Sequence, residues 1–265
     1  MAVVYDKLDN YNKYENLFGR FKDVTVSKTK YSIKIDYGKK KVFLNKEGKS
    51  GHSGILTLIN KVKKDAQNYL DTVGFDTTKS NDIFWSFFND ESGMLGQGLE
   101  FEVAKIDLTS AYWTKATNDK VLSKETIGYF NGLEFDNVKE KKGARLRALG
   151  SLATVKSTIV YNYGKRSRDV IPNIFNEDFR SLYMGICNGV AQDMQTVLGH
   201  VDGVYYYWDC IFVDPSKIKQ VERLFKDLGY NCTVEKHTAK VFKSKHNSYF
   251  CCPNMKGELI EYPLY

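Results

Sequence analysis

With 265 residues, 42% of them hydrophobic and 14% aromatic, the chain carries enough apolar material for one or two packed units, which excludes a disordered protein. The formal charge of +7 suits a polyanionic partner without amounting to a basic tail. Five cysteines without CxxC spacing exclude a disulfide framework and a zinc site, and no stretch approaches the roughly 20 apolar residues that cross a bilayer, so a soluble, cytoplasmic protein without a membrane partner is expected.

Tyr31–Tyr37 alternates apolar with polar residues and turns at Gly38 into Lys39–Leu44, the pattern of a hairpin. Gly51 and Gly54 precede Ile55, Leu58, Ile59 and Val62, spaced as one helix face. Ile83, Phe84, Trp85, Phe87 and Phe88 form an aromatic cluster that reads as core. Residues 1–95 are therefore expected to form a basic, mixed α/β region. Its lysines Lys39, Lys40, Lys41, Lys46 and Lys49 either contact a phosphate backbone or belong to an ordinary hydrophilic hairpin.

From Leu99 an alternating strand runs to Asp107, and a polar helical segment follows to about residue 142. Ala144–Lys156 is a second helix candidate, with Leu146, Leu149 and Leu152 at helical spacing. The clearest helix starts near Asp178, carries Phe179, Leu182, Ile186, Val190 and Val197 on one face, and stops at Gly199. Gly203–Val213 reads as strand interrupted by Asp209. Asp214-Pro215 then starts a helix that reaches Gly229 through Ile218, Val221, Leu224, Phe225 and Leu228. Cys232–Glu235 and Ala239–Phe242 read as a strand pair. The order predicts an α+β layer, an antiparallel sheet backed by helices, over residues 96–265.

Asp107 ends one apolar strand and Asp209 interrupts another, between Tyr207, Trp208, Ile211 and Phe212. A carboxylate is costly to desolvate without a cation, so either each acid pairs with a lysine such as Lys105 or the two share divalent metals. Oxygen ligands select Mg²⁺ or Mn²⁺, and two ions roughly 3.5–4 Å apart can activate a hydroxyl and stabilise a leaving pyrophosphate.

Asp107-Leu108-Thr109-Ser110-Ala111-Tyr112 resembles motif A of family B DNA polymerases, although Trp113 stands where proline is usual. The resemblance implies metal binding by Asp107 and the Leu108 carbonyl, a triphosphate cradle at Ser110 and Ala111, and Tyr112 beneath the sugar. Tyr205–Val213 resembles motif C, keeping its second acid as Asp209, with Tyr207 in place of the first and Cys210 in place of serine. Arg145–Thr154 resembles motif B of the fingers helix, with Ser151 and Leu152 kept. Arg145 or Arg147 would then hold the incoming phosphates, the alternative being a solvated basic face. Lys243–Tyr249 resembles the Lys-any-Tyr element that holds a primer end, with Tyr249 kept, Asn247 at the lysine position, and Lys243 or Lys245 as substitutes.

The resemblance covers residues 99–250 and implies a polymerase palm with a short fingers insertion over 113–156, and almost no chain for a thumb. It implies a minimal template-directed DNA polymerase using two Mg²⁺ or Mn²⁺ ions, with a DNA primer-template, deoxynucleoside triphosphates and replication proteins as partners. Two alternatives stay open. One is a catalytically reduced palm serving as a DNA-binding replication protein; the other is a two-metal nuclease.

Overall fold

The computed structural model describes residues 2–29, 32–46, 48, 53–73, 86–88, 100–154, 157–167, 176–201, 205–243, 248–253 and 258–264. The readings placed on Tyr31, Lys49, Gly51, Ile83–Trp85, Leu99 and Lys245 lie outside those residues. The chain begins with β1 (Ala2–Lys7), α1 (Tyr11–Glu15), β2 (Asp23–Lys28), β3 (Ser32–Asp36), β4 (Lys40–Asn45) and α2 (Ser53–Val73). The middle holds β5 (Ser86–Phe88), β6 (Glu100–Leu108), α3 (Ala111–Asn118), α4 (Lys124–Asn131), α5 (Val138–Gly150), β7 (Ser157–Asn162) and β8 (Lys165–Arg166). It ends with α6 (Glu177–Val201), β9 (Tyr205–Tyr207), β10 (Cys210–Val213), α7 (Ile218–Asp227), β11 (Cys232–Lys243), β12 (Ser248–Pro253) and β13 (Leu259–Leu264).

The expected hairpin is β3–β4, turning at Gly38 with φ 82° while the Gly38 amide donates to Asp36 Oδ1 at 2.9 Å. Four N-terminal strands form a sheet in which β1 joins β4 in parallel and the other pairs are antiparallel. Val24, Val26, Ile35, Val42 and Leu44 point to one face and pack under Tyr14 and Phe18. This mixed sheet is completed from far along the chain, in the order β1-β4-β3-β2-β7-β8.

A second sheet, β13-β12-β11-β6-β10-β9-β5, pairs antiparallel throughout the described residues. Alternation along β6 sends Ala104, Ile106 and Leu108 toward α6 and α7, where Val190, Met194, Val197, Val221 and Phe225 bury them. This is the expected α+β layer, an antiparallel sheet backed by helices. Val103, Phe212, Tyr205, Ala239 and Cys252 form a dry cluster of their own on the opposite face. The sheet curls around that cluster, so Cα atoms of its two edge strands, β5 and β13, come within 8 Å of each other. A third core joins α2 to α3, α4, α5 and the start of α6 through Leu58, Val62, Trp113, Phe130, Leu149 and Ile186.

Several boundaries differ from expectation. Helix α5 starts earlier, at Val138, because Asn137 caps it by accepting from the Glu140 amide, and it tightens into a 3-10 turn at Ser151–Ala153. Leu149 and Leu152 are buried, while Leu146, three positions before Leu149 on the same helix, is exposed. Helix α6 runs through Gly199 to Val201. The expected strand pair at 232–242 is a single strand, because β6 offers β11 a continuous partner from Leu108 opposite Cys232 to Glu100 opposite Lys240. Among the described residues no helix is long and apolar enough to cross a membrane.

Candidate functional site

Asp107 sits near the end of β6, between β10 and β11, directly opposite Cys210 on one side and Thr233 on the other. Strand alternation turns it away from the backing helices, onto the face that carries Lys105 and Val103. Asp209 occupies a two-residue turn between β9 and β10, where Tyr207 pairs with Cys210. The turn requires left-handed backbone at Trp208, φ 56°, a conformation few side chains adopt freely. Asp209's carbonyl accepts the Leu108 amide at 2.8 Å. That bond fastens the turn to the residue after Asp107, so the two acids are held on neighbouring strands.

Burial pushes the carboxyl groups of Asp107 and Asp209 above the ordinary carboxylate value, and the charge of Asp107 pushes Asp209 further. Lys105 and Lys142 pull both back, from a distance. Neither acid is in an ion pair among the described residues. Two half-buried carboxylates that repel one another fit a hard cation well, since its charge would remove the cost of ionising both. Among the described residues no third His, Cys, Asp or Glu completes a protein-only cage. Carbonyl, phosphate and water oxygens would therefore fill the rest of the shell, as Mg²⁺ commonly requires.

Beside the acids lies a cleft of about 460 Å³, counting the part open to solvent. Ser110, with φ 60° and ψ 40°, turns the chain from β6 into α3 and sets Ala111, Tyr112 and Trp113 along one wall. Tyr112 packs against both the sheet core and the helical core; burial, and then the charge of Asp209, raise its phenol. The facing wall is α5, presenting Lys142, Arg145, Leu146 and Leu149. Arg145 lies over the Phe130 ring at 5.5 Å, burial lowers its pKa, and its buried Nε has no hydrogen-bond partner among the described residues. A guanidinium with unused donor capacity at a cleft wall is suited to an anionic ligand.

No family model matches the chain, and no curated protein matches it significantly.

The structure thus brings Asp209, Ser110, Ala111, Tyr112 and Arg145 to one cleft, with Asp107 and Leu108 on the strand beside Asp209, and leaves other candidates elsewhere. Arg147, two positions on, faces roughly 200° around the helix, is exposed, and donates from Nε to the Gly143 carbonyl at 3.3 Å. Ser151 spends its hydroxyl on the Ala148 carbonyl at 2.7 Å. Lys243 and Tyr249 lie at the far end of the β11–β12 pair, where Lys243 opposes Ser248 and Phe242 opposes Tyr249. Ten residues of strand separate Lys243 from Thr233 beside Asp107, roughly 30 Å at strand rise.

Two cleft residues escaped the sequence reading. Lys142 precedes Arg145 by three positions, and with Leu146 and Leu149 it completes one helix face, a spacing readable in advance. Tyr183 reaches the cleft from α6, and burial raises its phenol, with Cys187 behind it. No local signal marks it. Burial pushes the Cys187 thiol up to about 12, so it stays protonated and is no nucleophile.

Proposed function

We propose that this chain is a metal-dependent nucleotidyltransferase, a minimal template-directed DNA polymerase that extends a primer 3′-hydroxyl with deoxynucleotides. One observation carries the proposal: Asp209, whose charge is coupled to Asp107 on the neighbouring strand, lines a cleft whose opposite wall presents Lys142 and Arg145. Acids for a cation pair on one side and cations for a polyphosphate on the other are the two halves such a transfer needs.

In this reading Asp107, Asp209 and the Leu108 carbonyl hold two Mg²⁺ or Mn²⁺ ions, and the chemistry such ions supply is activation of the attacking hydroxyl and stabilisation of the leaving pyrophosphate. Arg145 grips the triphosphate, with Lys142 as a second, mobile charge. Ser110 and Ala111 lie against the phosphates, and Tyr112 lies under the sugar. A DNA primer-template is the macromolecular partner.

A second reading, a palm that binds DNA without turnover, is favoured by Tyr207, which stands where the resemblance calls for a first motif C acid, and by the distance of Lys243 and Tyr249 from the acids. Primer extension with a labelled primer-template and Mg²⁺ or Mn²⁺ separates the two. Templated lengthening by the parent protein, reduced at least about a hundredfold in Asp209→Asn, supports the polymerase. Equal extension by the variant removes these acids from the reaction, and metal-dependent shortening of the duplex points to a nuclease.

A further inference from the structure

Away from the cleft, one end of the mixed sheet gathers three loops. Tyr163 and Gly164 make the two-residue turn of the β7–β8 hairpin, both with positive φ, 47° and 78°, as a type I′ turn requires. This turn seats on the loop before β2: the Tyr163 amide donates to the Phe21 carbonyl at 3.1 Å, and a Cβ on Gly164 would lie 3.1 Å from the Gly19 backbone. Phe21 in turn packs on Tyr37, at the β3–β4 turn, with ring centroids 4.8 Å apart.

Sequence positions some 140 residues apart thereby place two aromatic rings at one surface, Tyr163 61% and Phe21 37% exposed. Cations surround them. Arg20 and Lys22 flank Phe21, Lys165 and Arg166 follow the β7–β8 turn, and Lys39 and Lys40 follow the β3–β4 turn, all exposed. Of the nearby acids, Asp36 is engaged by Lys41 at 3.6 Å and Lys34 at 3.9 Å, leaving Asp23 at the head of β2. Residues 2–45 as a whole carry ten lysines and arginines against five acids.

We infer that this loop cluster is a binding site for single-stranded nucleic acid, in which bases stack on Tyr163 and Phe21 and the surrounding lysines and arginines hold phosphates. Exposed rings interleaved with cations match a chain of planar bases joined by phosphates. An anionic membrane is the rival occupant of a basic aromatic patch, but among the described residues no exposed aliphatic side chain stands with the two rings to enter acyl chains. The tight I′ turn presents Tyr163 already ordered, which lowers the entropy cost of stacking. This site does not depend on catalysis at Asp107 and Asp209.

The test is fluorescence anisotropy of the full chain with labelled oligothymidylate in EDTA, so that no metal contributes through the cleft. Tyr163→Asn, which removes the ring and tolerates left-handed backbone, is expected to weaken binding about tenfold. Lys22→Gln with Arg166→Gln is expected to lower the slope of log affinity against log salt by about 1.4. Thermal melting like the parent's shows that the variants fold. The inference is overturned if folded variants bind as the parent does. It is overturned equally if the patch variants lose binding only to phosphatidylserine vesicles and not to the oligonucleotide.

Discussion

Asp209 is the residue on which chemistry and stability pull in opposite directions. Its folded pKa lies above the ordinary 3.8, through burial first and Asp107 second, so between those two values the folded chain holds a proton that the unfolded chain has released. The fold therefore loses stability as pH rises from about 3.8 through the raised value, and carries the full cost above it. Asp209→Asn, which cannot ionise, is expected to melt higher than the parent at pH 7 without metal, with the difference vanishing at acid pH; calorimetry across pH reads it. Saturating Mg²⁺ should raise the parent's melting temperature by several degrees and leave the variant's nearly unmoved. Equal metal responses would detach Asp209 from any cation site. On the facing wall, Arg145→Gln is expected to raise KM for deoxynucleotides by roughly tenfold or more, the loss of a charged hydrogen bond, whereas Arg147→Gln changes it little. Steady-state kinetics on both variants checks the assignment, and the reverse ranking would overturn it.

Helix α3 carries one wall of the cleft, and its position rests on a polar tether behind the site. Lys115 lies 3.4 Å from Asp193 of α6 and 3.3 Å from Asp119, and Tyr230 donates its hydroxyl to Asp193 at 2.6 Å. Gly189 is what lets Lys115 cross α6, since a Cβ there would sit 2.4 Å from the lysine Cε. Tyr230→Phe removes a hydrogen bond to a charged acceptor and is expected to cost about 1.5–3 kcal/mol, a melting shift of several degrees by calorimetry. Elements such as β6, α6 and α7 were legible in the sequence because each buries one face, giving period two or 3.6 along Leu108, Val190 and Phe225. The identity of the cleft wall was only half legible. Helix α5 is polar nearly all round, with Val138 and Leu146 exposed, so its own sequence does not say whether Arg145 or Arg147 faces the acids. Packing of Ala144, Ala148 and Leu149 against the third core decides it. The distance of Lys243 and Tyr249 from the acids was not legible for a similar reason: short motifs carry spacing along the chain but not the length of an unbroken strand.

At the scale of the molecule, the two sheets are interleaved by sequence. The chain makes four strands of the mixed sheet, leaves to build the acid-bearing strand and the helical wall, returns to add β7 and β8, and only then enters α6. Nothing local announces this pairing of β2 with β7, whose buried Ser27 and Thr158 hydroxyls meet at 3.3 Å across 131 positions. Strand β2 lies inside that sheet, between β3 and β7, while β1 has a free edge among the described strands. Amide hydrogen exchange is accordingly expected to be slowest at Val24 and Val26 and faster along β1, and uniform exchange across the sheet would contradict the pairing. The return of β7 also has a consequence for how the chain is made. During synthesis the first 45 residues emerge able to form a partial sheet whose β2 edge stays unpaired until residue 162 has left the ribosome. The acid-bearing β6 likewise waits for β10 and β11, the farthest of which begins at Cys232. The mixed sheet has all its described strands once Arg166 is out, whereas the acid-bearing sheet still lacks five of its seven. Asp107 therefore gains its strand neighbours only after the first sheet can close.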